Sequence, residues 1–294
     1  LMNIHQKLFL LLNLSIFSTL KERHLCKGEL MKKIAIIGAG PFGLIALERL
    51  IKFAPSNKEV QILLFDPDGP GGNVWRLNQT NQVIMNTVMQ HVTLFAEDHG
   101  PNLAEWSQKI APNYLSSLGL GDVLSERPLD KNDYCQRRYY GLYQRWFFQE
   151  IISHLPANIL VQLIKEKVSD LQIDKGSLFI QAKESFQIHQ VIIATGHSAN
   201  QPSEEEIKNH DYAEKHALFY QGPANPSNVP IADLKQDGPI IIRGLGLSFF
   251  DYIALFVERW GGKFVETQGK LTYQASGNEV YLVVGSGSSG EKCC

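Results

Sequence analysis

The sequence predicts an α/β protein that consists of two similar units. The first set of elements is an apolar run, KKIAII at 32–37, followed by a glycine-rich turn that begins at Gly38 and by an amphipathic helix. A second set repeats this order, with PIIIR at 239–243 and a turn that begins at Gly244. The composition agrees, because 294 residues with 44% hydrophobic and 20% charged side chains are typical of a globular protein with one large domain or two smaller ones.

Charge and cysteine content exclude several classes of protein. A formal net charge of −2, without a basic run, argues against nucleic acid or an anionic membrane as a partner. The four cysteines, Cys26, Cys135, Cys293 and Cys294, are too few and too scattered for a disulfide framework. They also lack zinc-binding spacing, so no metal is expected. A reducing cytoplasm is the predicted compartment.

Residues 1–30 differ from the rest of the chain. The apolar run at 8–20 has thirteen residues, whereas a membrane-spanning helix needs about 20. Lys7 before it gives the outline of a secretory signal, but no small-x-small cleavage site follows. A signal or anchor, an appended helix and an upstream segment without function all stay open. The last is favoured, because Met31 directly precedes the first strand and turn.

The first turn has the spacing Gly-x-Gly-x-x-Gly between a strand and a helix, which is typical of dinucleotide-binding units. The first glycine permits the tight turn, the second lets the backbone approach a pyrophosphate, and the third lets the helix pack closely on the strand. The start of the helix offers free N–H groups to the phosphates. The predicted contacts are Gly38, Ala39, Gly40, Pro41, Phe42 and Gly43.

An acidic residue follows the second strand at the expected distance. The run VQILLF at 60–65 ends at Asp66, which lies 23 residues after Gly43. A carboxylate at this position accepts hydrogen bonds from ribose hydroxyls and disfavours a 2′-phosphate. The alternative is that Asp66 only forms the turn before Pro67.

The loop at 66–76, DPDGPGGNVWR, departs from regular α/β alternation. It contains Gly71 and Gly72 and ends with Trp75 and Arg76. Here the sequence resembles flavin-dependent oxidoreductases with two dinucleotide folds, in which a similar loop lies beside the isoalloxazine. The alternative is a surface loop with a buried tryptophan.

The resemblance extends over nearly all of the chain, from residue 31 to about 285. The segments that carry it stand in the order of the FAD-NAD(P)-binding family, which includes proteins of the FAD-dependent urate hydroxylase type. The sequence is similar, more distantly, to flavin N-hydroxylating monooxygenases. The segments are MNTVMQHVTLF at 85–95, RRYYGLYQRWFF at 137–148, VIIATGHS at 191–198 and IIIRGLGLSFFDYIALF at 241–257.

This resemblance implies FAD and NAD(P)H as cofactors. It implies an FAD-binding domain at 31–200 and a partial NAD(P)-binding domain at 201–294. It also places the turn with Thr195 and Gly196 near the dinucleotide, an assignment that the periodicity alone does not make, and a plain turn after a strand is the alternative.

The middle of the chain alternates between helical and β-rich patterns. The run at 137–148 contains three arginines, Arg137, Arg138 and Arg145, among six aromatic residues. Helical spacing of the aromatic residues favours a core-facing helix with solvated arginines over a surface that stacks nucleic acid bases. Helices are predicted near 102–118 and 134–154, and strands at 159–165, 177–182 and 188–193.

The second turn presents Gly244, Gly246 and Ser248, so its third glycine position is not glycine. A flavoprotein needs such a second strand-turn-helix to hold a nicotinamide nucleotide, and a structural turn is the alternative. The segment after the helix reads as a strand, a glycine-containing hairpin and a further strand.

No catalytic side chain stands out. His197 and His216 fit no nucleophilic triad, and nothing places Glu97 and Asp98 in one cleft. A cofactor that carries the chemistry explains this lack. We therefore predict an FAD-dependent oxidoreductase that uses NAD(P)H, with hydroxylation of a small molecule as an implication of the resemblance. A flavin-dependent dehydrogenase or reductase and a catalytically silent dinucleotide-binding module are the alternatives.

The C-terminal part is shorter than this architecture requires. Proteins of this kind return to the FAD domain after the nicotinamide segment, and a βαβ crossover alone takes roughly 30 residues. The chain ends at Cys294, about 50 residues beyond the second glycine motif, in the sequence GSGSSGEKCC. The expectation is a C-terminally truncated chain that exposes apolar surface and holds FAD weakly.

Overall fold

The structure is a computed structural model that describes residues 31–96, 99–121, 129–197, 200–234 and 238–285. Glu97, Asp98 and the two terminal segments considered above lie outside these ranges. The chain divides into two compact units. The first extends to Asn78 and resumes from Thr87 to Gly196, and the second takes Gln79–Asn86 and the chain from His197 onward.

The first unit contains a parallel sheet, which confirms the predicted α/β class. The strands have the order β3-β2-β1-β7, and every neighbouring pair is parallel. Helix α1 connects β1 to β2. The elements are β1 Lys32–Ile37, α1 Pro41–Phe53, β2 Val60–Phe65, the 3-10 helix Met89–His91, α2 Leu103–Lys109, α3 Ala111–Ser117, α4 Arg137–Ser153, β3 Ile159–Ile164, β4 Asp170–Asp174, β5 Ser177–Gln181, β6 Ser185–Ile188 and β7 Gln190–Ile193.

A second, antiparallel sheet, β4-β5-β6, covers one face of the parallel sheet. Ala35, Leu63 and Phe65 pack there against Ile180 and Ile188, and all five side chains are buried. Because apolar residues lie on both faces of β1 and β2, these strands are nearly continuous apolar runs, as expected for parallel strands inside a protein. This core fixes the carboxyl ends of the strands, where the glycine turns lie.

Helix α4 contributes a group of buried aromatic residues to the first unit. Trp106 of α2 is fully buried and meets the rings of Tyr139 and Tyr143 edge-on, each at 5.5 Å between ring centroids. The predicted core-facing helix is therefore present. The expectation of solvated arginines is wrong for Arg145, which is largely buried, because its side of the helix lies near the acidic Asp68 and Tyr114 rather than in solvent.

The second unit is smaller and repeats one part of the first. Strands β8 and β11 are parallel and are connected through α6, while β9 and β10 form an antiparallel hairpin between α6 and β11. Ile231, Phe256 and Trp260 form its buried core. The elements are α5 Glu204–Lys215, the 3-10 helices Pro226–Asn228 and Ile231–Asp233, β8 Ile240–Arg243, α6 Leu247–Trp260, β9 Lys263–Thr267, β10 Lys270–Gln274 and β11 Leu282–Gly285.

The segment 79–86 is a feature of the second unit that the sequence does not predict. The Thr80 hydroxyl donates a hydrogen bond of 2.7 Å to the Glu258 carboxylate on α6. The Ser227 hydroxyl donates to the Gln79 side-chain oxygen over 3.1 Å. These two hydrogen bonds hold the segment 79–86 in the second unit. The residues on either side of this segment in the chain belong to the first unit.

Candidate nucleotide-binding sites

The first glycine turn connects β1 to α1, and two of its glycines are required by the fold. Gly38 has φ +105° and donates its N–H to the Phe65 carbonyl at 2.7 Å. A Cβ atom on Gly38 would clash with the Ala194 carbonyl, and one on Gly43 would clash with the Gly38 carbonyl. The first and third glycines therefore let backbones approach each other, as predicted from their spacing.

Gly40 has different surroundings. Its φ of −71° suits any residue, and apart from Gly40 and its two chain neighbours no described atom lies within 4 Å of the position that a Cβ would take. It is the N-cap of α1, where no side chain accepts from the first N–H groups, and Pro41 opens the helix. Phe42 follows with 77% of its surface exposed. Open space beside free N–H groups at a helix start fits a phosphate group.

Asp66 links the turn to the loop that follows β2. Only 8% of this residue is exposed. Its Oδ2 accepts from the Ala39 N–H at 2.8 Å, and its Oδ1 accepts from the N–H groups of Asp68 and Gly69 at 2.9 and 3.1 Å. Burial raises the pKa of Asp66 above its usual value of 3.8, and the three hydrogen bonds partly offset this effect. The carboxylate thus shapes the turn and the loop together.

The glycine-rich loop lies against the first turn. Gly71 donates its N–H to the Ala39 carbonyl at 2.9 Å, so the Ala39 residue is held through both its N–H and its C=O. Gly72 has φ +59°, and a Cβ atom added to it would lie 3.7 Å from the Gly40 nitrogen and 3.3 Å from Asp66 Oδ2. The structure therefore brings together Ala39, Gly40, Asp66, Gly71 and Gly72, which the sequence predicted as one site.

Trp75 ends this loop and contacts helix α4. Its ring meets Tyr140 edge-on at 4.8 Å and is only partly buried. A Cβ atom on Gly141 would clash with the Trp75 carbonyl. It would also lie 3.4 Å from the Leu77 side chain. Sequence reasoning did not assign Gly141 to the site, although a glycine inside a strong helical pattern indicates a close backbone approach.

The turn after β7 lies next to the first glycine turn. The Ala194 N–H donates to the Ile37 carbonyl at 2.8 Å, and the Cα of Thr195 is 3.2 Å from the Cβ position of Gly38. Gly196 has φ +67°, and both Thr195 and Gly196 are exposed. These two residues border the first turn.

The second turn repeats the backbone of the first. Gly244 has φ +108°, and its N–H donates to the Gly285 carbonyl at the end of β11 over 2.7 Å. Gly246 is the N-cap of α6 with φ −76° and ψ −173°, and Gly40 has φ −71° and ψ −173°. No described atom lies within 4 Å of the Cβ position of Gly244 or Gly246. Ser248 is exposed near the start of α6.

The described residues show neither a metal-binding cluster nor a membrane-spanning helix. They contain no group of three or more His, Cys, Asp or Glu side chains that could hold a metal ion. None of the described helices combines the length and the apolar character needed to cross a membrane.

Known proteins resemble this chain over most of its described length. The nitrosuccinic acid synthase of Aspergillus oryzae is 31% identical over an alignment of 271 positions, which covers 86% of this chain and 39% of that protein. The L-aspartate N-monooxygenase (nitrosuccinate-forming) of Streptomyces davaonensis is 30% identical over 86% of this chain and 43% of its own length. The chain thus spans about two fifths of the length of these relatives.

Among solved structures, the L-lysine 6-monooxygenase of Pseudomonas syringae is similar with 16% identity and a TM-score of 0.40, over 77% of this chain and 50% of that one. The model of the FAD-NAD(P)-binding family matches residues 35–198, more than half of the chain. The match includes the first glycine turn, the loop after β2 and the turn after β7. The chain therefore belongs to the FAD-NAD(P)-binding family.

Proposed function

We propose that this chain is the nucleotide-binding part of a flavin-dependent oxidoreductase, which holds FAD at the first turn and NAD(P)H at the second. The observation that carries the proposal is the space beside Gly40. The neighbours of this residue in the turn are packed against backbone, whereas the Gly40 Cβ position meets no described atom. A pyrophosphate fits that space because free N–H groups of α1 border it.

Different residues of the first unit bind different parts of FAD. The turn from Gly38 to Gly43 receives the pyrophosphate, and Asp66 lies at the ribose end. Oδ2 of Asp66 accepts one hydrogen bond from the protein, so a lone pair stays available for a ribose hydroxyl. The loop ending at Trp75 lies on the flavin side, together with Thr195 and Gly196. The FAD-binding domain is then 31–200, except for the segment 79–86.

The second unit, 201–294, receives NAD(P)H at Gly244, Gly246 and Ser248. The support is the match in φ between Gly244 and Gly38 and between Gly246 and Gly40. Phe249 stands where the first turn has Gly43, so the helix start lacks the close contact that the third glycine allows. The second site holds its nucleotide with fewer backbone constraints than the first.

The proposed overall reaction is the N-hydroxylation of a small amine. When bound, FAD would supply the redox chemistry, namely acceptance of a hydride from NAD(P)H and activation of dioxygen. In balance, amine, dioxygen, NAD(P)H and a proton give hydroxylamine, NAD(P)⁺ and water. The relatives that act on L-aspartate support a small amino acid as the substrate. The few, scattered cysteines support a cytoplasmic enzyme.

Three measurements on the full chain test this function. The purified protein, titrated with FAD, should quench flavin fluorescence to a stoichiometry of one site, and Gly40→Val should not. Anaerobic NADH or NADPH should bleach the flavin absorbance. Formation of hydroxylated product in step with NAD(P)H consumption supports the oxygenase, and bleaching without product supports the dehydrogenase or reductase. FAD binding without bleaching would identify a silent binding module.

A further inference from the structure

Helix α4 contains a buried amide that the protein leaves without a partner. Gln144 has no exposed surface, and neither its Nε2 nor its Oε1 has a hydrogen-bond partner in the described chain. Nε of the neighbouring Arg145 is also buried without a partner. Buried polar groups in proteins are hydrogen-bonded almost without exception, so a fully unpaired amide requires an explanation.

The position of Gln144 relates it to the proposed FAD site. It follows Gly141 by three residues, and side chains at this spacing share a face of the helix about 5–6 Å apart. Gly141 contacts the Trp75 carbonyl, and its Cα is 3.9 Å from the Cβ position of Gly71. The adjacent Gly72 in turn lies beside Gly40. The unpaired amide is therefore one helical turn from the loop that closes on the first glycine turn.

We propose that Gln144 belongs to the FAD site as a positioning residue, whose amide gains its hydrogen bonds when FAD binds and the loop 69–76 settles on the cofactor. This inference rests on the proposed function. Gln144 has no exposed surface, so the partners of its amide come from the neighbouring loop rather than from bulk water. One donor and one acceptor are available for backbone groups of that loop. The unpaired amide lowers the stability of the protein without FAD, whereas its hydrogen bonds raise the stability of the FAD complex.

This arrangement predicts effects of opposite sign for one substitution. Gln144→Leu removes an unsatisfied amide and keeps a similar volume, so the protein without FAD should melt a few degrees higher. The same change removes the hydrogen bonds of the loaded state, so the dissociation constant of FAD should rise about tenfold or more. A residue with only a structural role in the empty fold would lower the melting temperature instead.

The experiment measures melting temperature and FAD affinity for the full chain, for Gln144→Leu and for Gln149→Leu, the same change on the same helix. A higher melting temperature with weaker FAD binding, seen only at position 144, supports the inference. FAD affinity equal to that of the unmodified chain overturns it and leaves the proposed function intact. An unmodified chain that binds no FAD overturns both. If Gln144→Leu does not fold, Gln144→Met serves for the same comparison.

Discussion

Gly40 and Gly43 lie three positions apart in the first turn but tolerate side chains differently. The Gly40 Cβ position is open, and its φ is accessible to any residue. We expect Gly40→Val to abolish FAD binding while the free energy of unfolding changes little, because the side chain enters only the space of the ligand. FAD titration and urea unfolding of the same preparation measure the two quantities.

Gly43→Ala is the matched control for this prediction. Its Cβ would clash with the Gly38 carbonyl, so it should lower the free energy of unfolding by about 1–3 kcal/mol through overpacking. If Gly40→Val still bound one equivalent of FAD, the phosphates would have to lie away from this turn.

Asp66 holds three backbone N–H groups, so its replacement should affect the turn and the loop together. We expect Asp66→Ala to weaken FAD binding by about 1–3 kcal/mol through the loss of a charge-assisted hydrogen bond to a ribose hydroxyl. The variant should also have a lower free energy of unfolding, because three backbone N–H groups lose their acceptor. A fluorescence titration with FAD measures the loss. Unchanged affinity would show that the turn keeps its shape without the carboxylate and that ribose does not contact it.

The raised pKa of Asp66 gives a pH dependence with a definite sign. Burial raises this pKa above 3.8, so between 3.8 and the raised value the folded chain binds the proton more strongly than the unfolded chain. The contribution of Asp66 to stability is therefore present below pH 3.8 and is lost as the pH rises through the folded-state pKa. The difference in free energy of unfolding between the unmodified chain and Asp66→Asn should follow this trend. Parallel stability curves would contradict it.

At the scale of elements, the contact between α4 and the loop after β2 depends on Gly141. Gly141→Ala should lower the free energy of unfolding by about 1–3 kcal/mol, since the new Cβ would clash with the Trp75 carbonyl. It should also weaken FAD binding through displacement of Trp75. Urea unfolding followed by tryptophan fluorescence measures the first effect and a titration with FAD measures the second, with Gln149→Ala on the same helix as the control. In a helix without this contact, replacing glycine by alanine would raise the free energy of unfolding.

The sequence predicted the elements whose periodicity is strong and missed those set by their neighbours. The predicted helix at 102–118 is two helices, because Pro112 lacks the N–H that a continuous helix needs. The strand predicted at 188–193 is divided at His189, whose Nδ1 accepts from the Lys33 N–H. Strand β4 was not predicted, although Leu171 and Ile173 alternate with polar residues as in a strand. The run has only two apolar residues, and all five of its residues are exposed in the structure.

The candidate site also has features that the sequence predicts and features that it does not. The glycines and Asp66 were predictable because their spacing follows from the strand-turn-helix unit itself. The bonds from Asp66 to three N–H groups, the burial of Arg145 and the unpaired amide of Gln144 were not, because they depend on contacts between segments far apart in the chain.

At the scale of the whole molecule, the described part of the first unit starts at its first strand. β1 begins at Lys32, whose N–H donates to the Glu59 carbonyl at 3.0 Å. We expect deletion of residues 1–30 to leave FAD affinity unchanged. Equilibrium titration of both chains and fractionation of lysates measure the effect. Loss of FAD, or transfer of the chain from the membrane to the soluble fraction, would show that the apolar run at 8–20 contributes to function.

The matching backbones at Gly38–Gly40 and Gly244–Gly246 have a consequence for competition between nucleotides. The first two glycines of each turn have nearly the same φ angles, and FAD and NAD(P)H share an ADP moiety. If the two turns bind FAD and NAD(P)H as proposed, free ADP should compete at both, and discrimination should depend on groups beyond the first two glycines, such as Asp66 and the third glycine. The inhibition of such an enzyme by cellular adenine nucleotides should thus have two components, one against each cofactor.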